Sequence, residues 1–267
     1  MSINPLDIKI LALGTGDSFT EVRNYSNFMV VIGDRRVNID CPPYLFRMFR
    51  QFREKFRDGS FVIDNLKEVI ITHNHEDHCA GVEEWGYMTI RNRPARPKIY
   101  ALPSMHRELW NESLAAGLRW RMRNDVFIEK TYEDHFTPVN LSVTEPTDMG
   151  GFLLETRHAF HMPESIALKF RFGDYAFGYS ADTGFMPELF EWWSDCQFIL
   201  HEVNFNPDIK WHCPLARLLE LPDGVQKKIY LYHYSDDYLN HDIGKMRFAE
   251  EGHVYYPFRP EPHQAAW

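Results

Sequence analysis

The chain has 267 residues, of which 44% are apolar, so it can bury a large core, and no abrupt change in composition marks a second domain. Residues 1–267 are therefore predicted to form one domain. The formal net charge of −9 disfavours a protein that binds extended nucleic acid, because that binding depends on Lys and Arg side chains that neutralise phosphates.

The first half of the chain opens with strands and continues with alternating helices and strands. Strands are predicted over 8–14, 27–33, 35–40, 67–73 and 97–102, and helices over 43–57, 79–90 and 104–117. The helix over 43–57 depends on apolar residues at helical spacing, with Asp58 and Gly59 beyond its end. Residues 123–150 have no clear periodicity and are predicted to be irregular.

The second half of the chain is richer in strands. Strands are predicted over 151–160, 165–173, 174–182, 197–203 and 227–234, and helices over 187–194 and 215–221. Two sheets packed face to face, with helices on the outside, would bury this pattern.

Cysteine usage and hydropathy favour a cytoplasmic protein. The four cysteines show no C-x-x-C spacing, as expected in a reducing compartment and not in a disulfide framework. The first residues lack the basic and apolar regions of a signal peptide. No stretch approaches the roughly 18 apolar residues of a membrane span. We therefore expect neither export nor membrane insertion.

The segment ITHNHEDHCAG carries four metal-binding side chains within six residues, namely His73, His75, Asp77 and His78. A packed core has no need of such a cluster, because His and Asp are mostly exposed or paired. Alternate residues of an extended chain share a face, so His73 and His75 can point to the same side. Imidazoles and carboxylates bind zinc, iron or manganese, and two adjacent metals would activate a water between them.

This segment resembles the H-x-H-x-D-H signature of the metallo-β-lactamase superfamily, and the remaining family elements follow in the family's order. The resemblance implies an α/β fold, the four-layer αββα sandwich. It implies two divalent metal ions, with zinc favoured and iron or manganese left open. The implied ligands are His73, His75 and His161 on the first metal, Asp77, His78 and His233 on the second, and Asp182 between them. His158 is the less favoured alternative to His161. Asp40 would support the ligand loop without binding metal.

Within the superfamily, two features are similar to the branch of ribonuclease Z and the small phosphodiesterases. One is the opening glycine loop LALGTGDSF, and the other is FILHEVNF followed by KWHCP. The resemblance implies that Glu202 orients His212, which would contact the phosphoryl oxygen or protonate the leaving alkoxide. Asp77 would in addition accept a proton from water.

The sequence also departs from the ribonuclease Z pattern. Val203 and Asn204 follow the glutamate, and Cys213 and Pro214 follow the histidine, where the family pattern has Ala-Thr and Ser-Thr. No glycine-rich basic arm for transfer RNA is recognisable. The expected substrate is therefore a small cyclic or nucleotide phosphodiester.

Two other functions are compatible with these residues, and a third is disfavoured. A lactone, ester or thioester hydrolase would use the same metal site but would not need His212. A non-hydrolytic di-iron protein could bind oxygen or sense redox state, but relatives of that type carry Glu at the position of His75. A metal-free scaffold receives little weight because no ligand is missing.

An aromatic content of 15% permits a homodimer interface without demonstrating one.

Six further residues have roles predicted from their position in the sequence or from the absence of a motif. Tyr87, Arg157 and Trp211 are candidates for the substrate pocket because they are near the motifs in sequence. His106, His135 and His241 belong to no motif and are predicted to be surface or hydrogen-bonded core residues.

Overall fold

A computed structural model describes residues 3–59, 61–89 and 96–259. The strands are β1 (Lys9–Gly14), β2 (Asn27–Ile32), β3 (Arg35–Ile39), β4 (Glu68–Ile70), β5 (Lys98–Ala101), β6 (Trp120–Arg123), β7 (Val126–Glu129), β8 (Thr137–Asn140), β9 (Thr147–Asp148), β10 (Leu153–Ala159), β11 (Ser165–Phe172), β12 (Tyr175–Tyr179), β13 (Phe198–Glu202), β14 (Ile229–Tyr232), β15 (Arg247–Phe248) and β16 (Val254–Tyr255). The helices are α1 (Leu45–Phe56), α2 (Glu76–Cys79), α3 (Gly81–Thr89), α4 (Pro103–Glu108), α5 (Ala115–Leu118), α6 (Tyr132–His135), α7 (Pro187–Trp192), α8 (Leu215–Leu219) and α9 (Asp223–Gln226).

The strands form two seven-stranded sheets and a separate ribbon of β6 and β7. The first sheet has the order β16-β1-β2-β3-β4-β5-β8, and the strands from β3 to β8 are parallel. The second has the order β15-β14-β13-β12-β11-β10-β9, and the strands from β12 to β15 are parallel. Each sheet therefore presents several carboxyl-terminal strand ends at one edge, which is where α/β folds commonly bind ligands.

The two sheets pack face to face through a shared apolar core. Phe28 on β2 contacts Tyr179 on β12 and Tyr232 on β14, with ring centroids 5.8 and 5.2 Å apart. On the opposite face of the second sheet, Ile199 and Leu231 are buried with side chains from α7 and α8. Successive side chains of a strand point to opposite faces of its sheet, so each strand contributes to both the core between the sheets and the contact with the helices.

Helices also cover the outer face of the first sheet. The apolar stripe of α1, which includes Leu45, Phe49 and Phe52, is buried in the same cluster as β1 and β2, and Trp85 of α3 joins it. The molecule thus has four layers in the order αββα. The predicted fold class is confirmed.

Residues 123–150 differ from the prediction of an irregular region, because they contain β7, β8, β9 and α6. Two local signals were missed. Asn124 and Asp125 both adopt positive φ angles, 50° and 60°, in the turn between β6 and β7. Thr131 and Asp134 form a capping box at α6. These elements are too short for periodicity to reveal them.

The predicted helix over 104–117 is also interrupted. It consists of α4, a π-helical turn over Leu109–Leu114 and α5. The predicted helix over 79–90 is split into α2 and α3, and its last residue lies outside the described residues. Within residues 3–59, 61–89 and 96–259, no helix is both long and apolar enough to span a lipid bilayer.

Candidate active site

The predicted site residues meet at the carboxyl-terminal strand ends of both sheets. Asp40 follows β3 and the histidine-rich loop follows β4 in the first sheet. Asp182 follows β12, Glu202 ends β13 and His233 follows β14 in the second. Residues far apart in the chain are therefore brought together by the parallel parts of the two sheets.

Three of these strand ends use a left-handed backbone that disfavours residues other than glycine. Asp40, Ala181 and His233 have φ angles of 66°, 53° and 56°. A side chain at positive φ costs energy, so the surrounding structure must enforce it. At each position the turn aims a carboxylate or an imidazole into the site.

His73, His75 and His161 form the first group of side chains that could hold a metal ion. Nε2 of His73 and Nε2 of His161 each lie 3.2 Å from Nδ1 of His75. Asp182 Oδ2 lies 3.8 Å from Nε2 of His73. Burial lowers the pKa of all three imidazoles, which keeps them neutral and able to offer a lone pair. His158 lies outside the site, because its half-exposed side chain on β10 contacts Glu164 instead.

Asp77, His78 and His233 form the second group, and Asp182 connects it to the first. Nε2 of His78 lies 3.3 Å from Asp77 Oδ2 and 3.4 Å from Asp182 Oδ1. Nε2 of His233 lies 3.4 Å from Asp77 Oδ2 and 3.2 Å from Asp182 Oδ2. Burial alone would lower the pKa of His233, but the carboxylates of Asp182 and Asp77 raise it to about 9. The pocket therefore concentrates buried negative charge.

The donor atoms fit divalent metal ions. Nε2 of His78 and Oδ1 of Asp182 are both buried, and neither completes a hydrogen bond. Leaving such atoms without a partner is costly, and a cation held between imidazole nitrogens and carboxylate oxygens would satisfy them. Each group places its ligand atoms within 4.8 Å of one another. The chain therefore carries two adjacent clusters suited to divalent metals.

Asp40 holds His78 in the orientation that this arrangement requires. The carboxylate is fully buried, and Oδ2 lies 2.8 Å from Nδ1 of His78. A carboxylate at Nδ1 directs Nε2 toward the metal position. Thr72, which the sequence analysis missed, donates its backbone N–H to Asp40 Oδ1 over 2.8 Å. Its hydroxyl also lies 3.1 Å from Nδ1 of His73. The only local signal for Thr72 is its place directly before the first histidine.

Gly81 fixes the far end of the ligand loop through close backbone packing. Its N–H donates to the carbonyl of Cys41 over 2.8 Å, and Cys41 N–H donates to the carbonyl of His78 over 2.7 Å. A Cβ atom at Gly81 would lie 2.2 Å from the carbonyl oxygen of Pro42. Only glycine allows this approach without moving the loop.

We expect Gly81→Ala to destabilise the protein by about 1–3 kcal/mol, because overpacking against backbone cannot relax cheaply. The same shift should displace Asp77 and His78 and weaken metal binding. Urea unfolding and calorimetric metal titration would measure both effects. Gly224→Ala is the control, since a Cβ there meets nothing within 4 Å. Wild-type stability and metal affinity in Gly81→Ala would contradict this account of the loop.

Glu202, which is buried, and His212, which is partly buried, form a pair beside the two clusters of candidate metal ligands. Oε1 of Glu202 lies 2.9 Å from Nδ1 of His212 and accepts the backbone N–H of Thr183 over 2.7 Å. Oε2 accepts the backbone N–H of Cys213 over 3.2 Å. Burial opposes the charged imidazole, but the Glu202 carboxylate raises the pKa of His212 overall. Nδ1 of His212 also lies 3.9 Å from Asp182 Oδ2.

Two of the four departures from the ribonuclease Z pattern, Asn204 and Cys213, pair with each other. Asn204 N–H donates to the carbonyl of Cys213 over 2.8 Å, and Leu215 N–H donates to the carbonyl of Asn204 over 3.0 Å. These bonds close the loop over 205–212 at its base. Because the backbone makes these bonds, the substitutions leave the contact between His212 and Glu202 in place.

A cavity of about 650 Å³ opens beside His212 and His233. Trp211 lines it, as the sequence suggested, whereas Tyr87 and Arg157 do not. His106 and His135 are buried and hydrogen-bonded as expected. His241 is partly exposed and contacts Asp237, as expected for a surface histidine, and it also lines this cavity.

The αββα fold and its paired clusters define a metal-dependent hydrolase of the metallo-β-lactamase fold. Over residues 8–255 the chain matches the family model described as Anti-Pycsar protein Apyc1, and it belongs to that family. The Anti-Pycsar protein Apyc1 of Paenibacillus sp. (strain J14) is 29% identical over 258 residues, which cover 93% of this chain and 98% of that protein.

Solved structures show the same fold at low sequence identity. The metallo-beta-lactamase fold protein YhfI from Bacillus subtilis has a TM-score of 0.70 at 16% identity, covering 93% of this chain and 98% of that one. Unliganded yeast PDE1 has a TM-score of 0.67 at 13% identity, covering 95% and 99%. The predictions of a metallo-β-lactamase fold and of a metallo-hydrolase with phosphodiesterase activity are confirmed.

Proposed function

We propose that the chain hydrolyses a cyclic nucleotide by opening its phosphodiester ring at the paired clusters. The observation that carries this proposal is the position of His212, which Glu202 holds between the Asp182 carboxylate and the adjoining cavity. Membership in the Apyc1 family supports a substrate of this class. The net charge of −9 supports a small substrate and disfavours extended nucleic acid.

Two divalent ions, with zinc favoured, would be held by the seven residues that the sequence singled out. His73, His75 and His161 would hold the first, Asp77, His78 and His233 the second, and Asp182 would bind both. The imidazole-rich donor set supports zinc. When bound, such ions lower the pKa of a water and polarise the phosphoryl oxygen.

The chain's own residues would handle the protons. Burial alone would raise the pKa of Asp77, but His78 and His233 lower it, so the carboxylate is ionised. A lowered pKa makes it a weak base, so Asp77 would accept a hydrogen bond from the attacking water and take its proton only as the oxygen–phosphorus bond forms. His212 would donate a proton to the ribose oxygen that leaves phosphorus. Glu202 favours the protonated imidazole and fixes its ring through Nδ1.

The test is turnover of purine and pyrimidine 3′,5′-cyclic nucleotides by the metal-loaded protein. We expect linear nucleoside monophosphates as products, loss of activity with a chelator and recovery with zinc. Turnover of a lactone or thioester without any turnover of cyclic nucleotides would favour the alternative hydrolase. Two bound irons with an oxygen-sensitive absorption band and no hydrolysis would favour the redox protein.

We also propose a cytoplasmic location and a homodimer. All four cysteines are free and buried, which supports a reducing compartment. The ribbon of β6 and β7 exposes more than half of Trp120, Met122 and Phe127, which supports contact with a second copy. Light scattering should show two chains per particle. A monomer with full activity would contradict the homodimer.

A further inference from the structure

The cavity beside His212 has the size and charge of a site for one nucleoside. Its volume of about 650 Å³ falls within the range of small-molecule sites, about 300–1,000 Å³. His212 and His233 line the end of the cavity that adjoins the two clusters of candidate metal ligands. Asp17 and Asp237 also line it, and no Lys or Arg is present among the described residues that do so. This acidic lining disfavours a substrate that would place additional phosphate groups in the cavity.

One wall of the cavity is an aromatic stack between two loops. The rings of Phe205 and His241 are nearly parallel, at 4°, with centroids 3.9 Å apart. Phe205 is backed by Phe248, whose ring lies edge-on at 6.5 Å. The side chain of His241 keeps 29% of its surface exposed. The ring of His241 is therefore partly accessible from the cavity, which Phe205 also lines.

The ring of His241 is also held in place by hydrogen bonds. Its Nε2 lies 3.3 Å from Asp237 Oδ2, and Ser235 donates its hydroxyl to Asp237 Oδ1 over 2.5 Å. Phe205 follows β13 and His241 follows β14, the same strands that end at Glu202 and precede His233. The stack is thus anchored to the strands that carry the catalytic end of the site.

We propose that His241 is the platform on which the nucleobase stacks while the phosphate lies at the two clusters of candidate metal ligands. Asp237 is the residue that positions His241. This inference rests on the proposed hydrolysis of cyclic nucleotides. Aromatic rings bind bases through their faces with little demand on base identity. The platform would therefore favour cyclic mononucleotides of several bases over phosphodiesters without a base.

The experiment compares two substrates that differ only in the base. One is a 3′,5′-cyclic nucleotide, and the other is methyl ribofuranoside 3′,5′-cyclic phosphate. For His241→Ala we expect KM for the nucleotide to rise about tenfold, with kcat and the base-free substrate little changed. His241→Phe should restore KM because it keeps the aromatic face. Asp237→Asn should raise KM by a smaller factor.

The controls separate this inference from the proposed function. His158→Ala removes an exposed histidine that does not line the cavity, so both substrates should be unaffected. If the wild type hydrolyses neither cyclic substrate, the proposed function fails. If the wild type hydrolyses both substrates, the His241→Ala variant decides about the platform. With an unchanged unfolding midpoint, equal changes in KM for both substrates, or no change for either, would refute the platform. A failure of His241→Phe to restore KM would also refute it.

Discussion

Replacement of Asp182 by alanine is expected to lower kcat/KM of the metal-loaded protein by about a thousandfold or more. The carboxylate is buried, and its two oxygens face Nε2 of His73, His78 and His233 from distances of 3.2 to 3.8 Å. No other side chain in the described residues lies between the two clusters in this way. Without it, the clusters lose their shared ligand, and we expect fewer than two metals per chain by mass spectrometry.

Asp174→Ala is the matched control for this substitution. Asp174 is exposed and precedes β12, whereas Asp182 follows the same strand at its other end. The control should retain two metals and full activity. An Asp182→Ala protein that keeps two metals and loses less than about tenfold in kcat/KM would contradict the proposed shared ligand.

The second large effect is expected from His212→Ala, and it should depend on the leaving group. Loss of a general acid costs about 10²–10⁴-fold where a poor leaving group needs a proton. The ribose alkoxide of a cyclic nucleotide is such a group. We expect that loss in kcat for cyclic nucleotides, and a loss below about tenfold for bis-p-nitrophenyl phosphate, since p-nitrophenolate leaves without protonation. Glu202→Gln should give an intermediate loss, because Nδ1 of His212 keeps a weaker partner.

His253→Ala is the control for this experiment, since its imidazole contacts Glu250 and lies outside the cavity. Equal losses on both substrates would contradict the proton-donor role. They would instead assign His212 to metal binding, for which Asp182, His212 and His233 also have suitably placed atoms.

The core of the site could be predicted because its residues follow buried strands that are themselves recognisable. Apolar runs over β4, β12 and β14 predicted strands, and Asp182 and His233 follow two of them directly or within a few residues. Parallel strand ends then bring such side chains to one edge. His161 is favoured over His158 because its separation from Asp182 suits one intervening hairpin, and the geometry places His161 beside His75.

The cavity wall could not be predicted, because it depends on contacts between loops. Phe205 and His241 are separated in sequence and stack only because the loops after β13 and β14 converge. No periodicity or motif links them. The same limitation applies to Asn204 and Cys213, which depart from the ribonuclease Z pattern but pair through their backbones. Sequence patterns reveal periodicity and motifs, whereas the proposed substrate contacts depend on residues that are distant in the chain.

The most direct test of hydrolysis at phosphorus is turnover of a cyclic nucleotide by the zinc-loaded protein in ¹⁸O-labelled water. We predict one ¹⁸O atom on the phosphate of the linear monophosphate, detected by mass spectrometry or by the ³¹P isotope shift, and none in the ribose. Label in the ribose, or no turnover at all with both clusters occupied, would contradict the account.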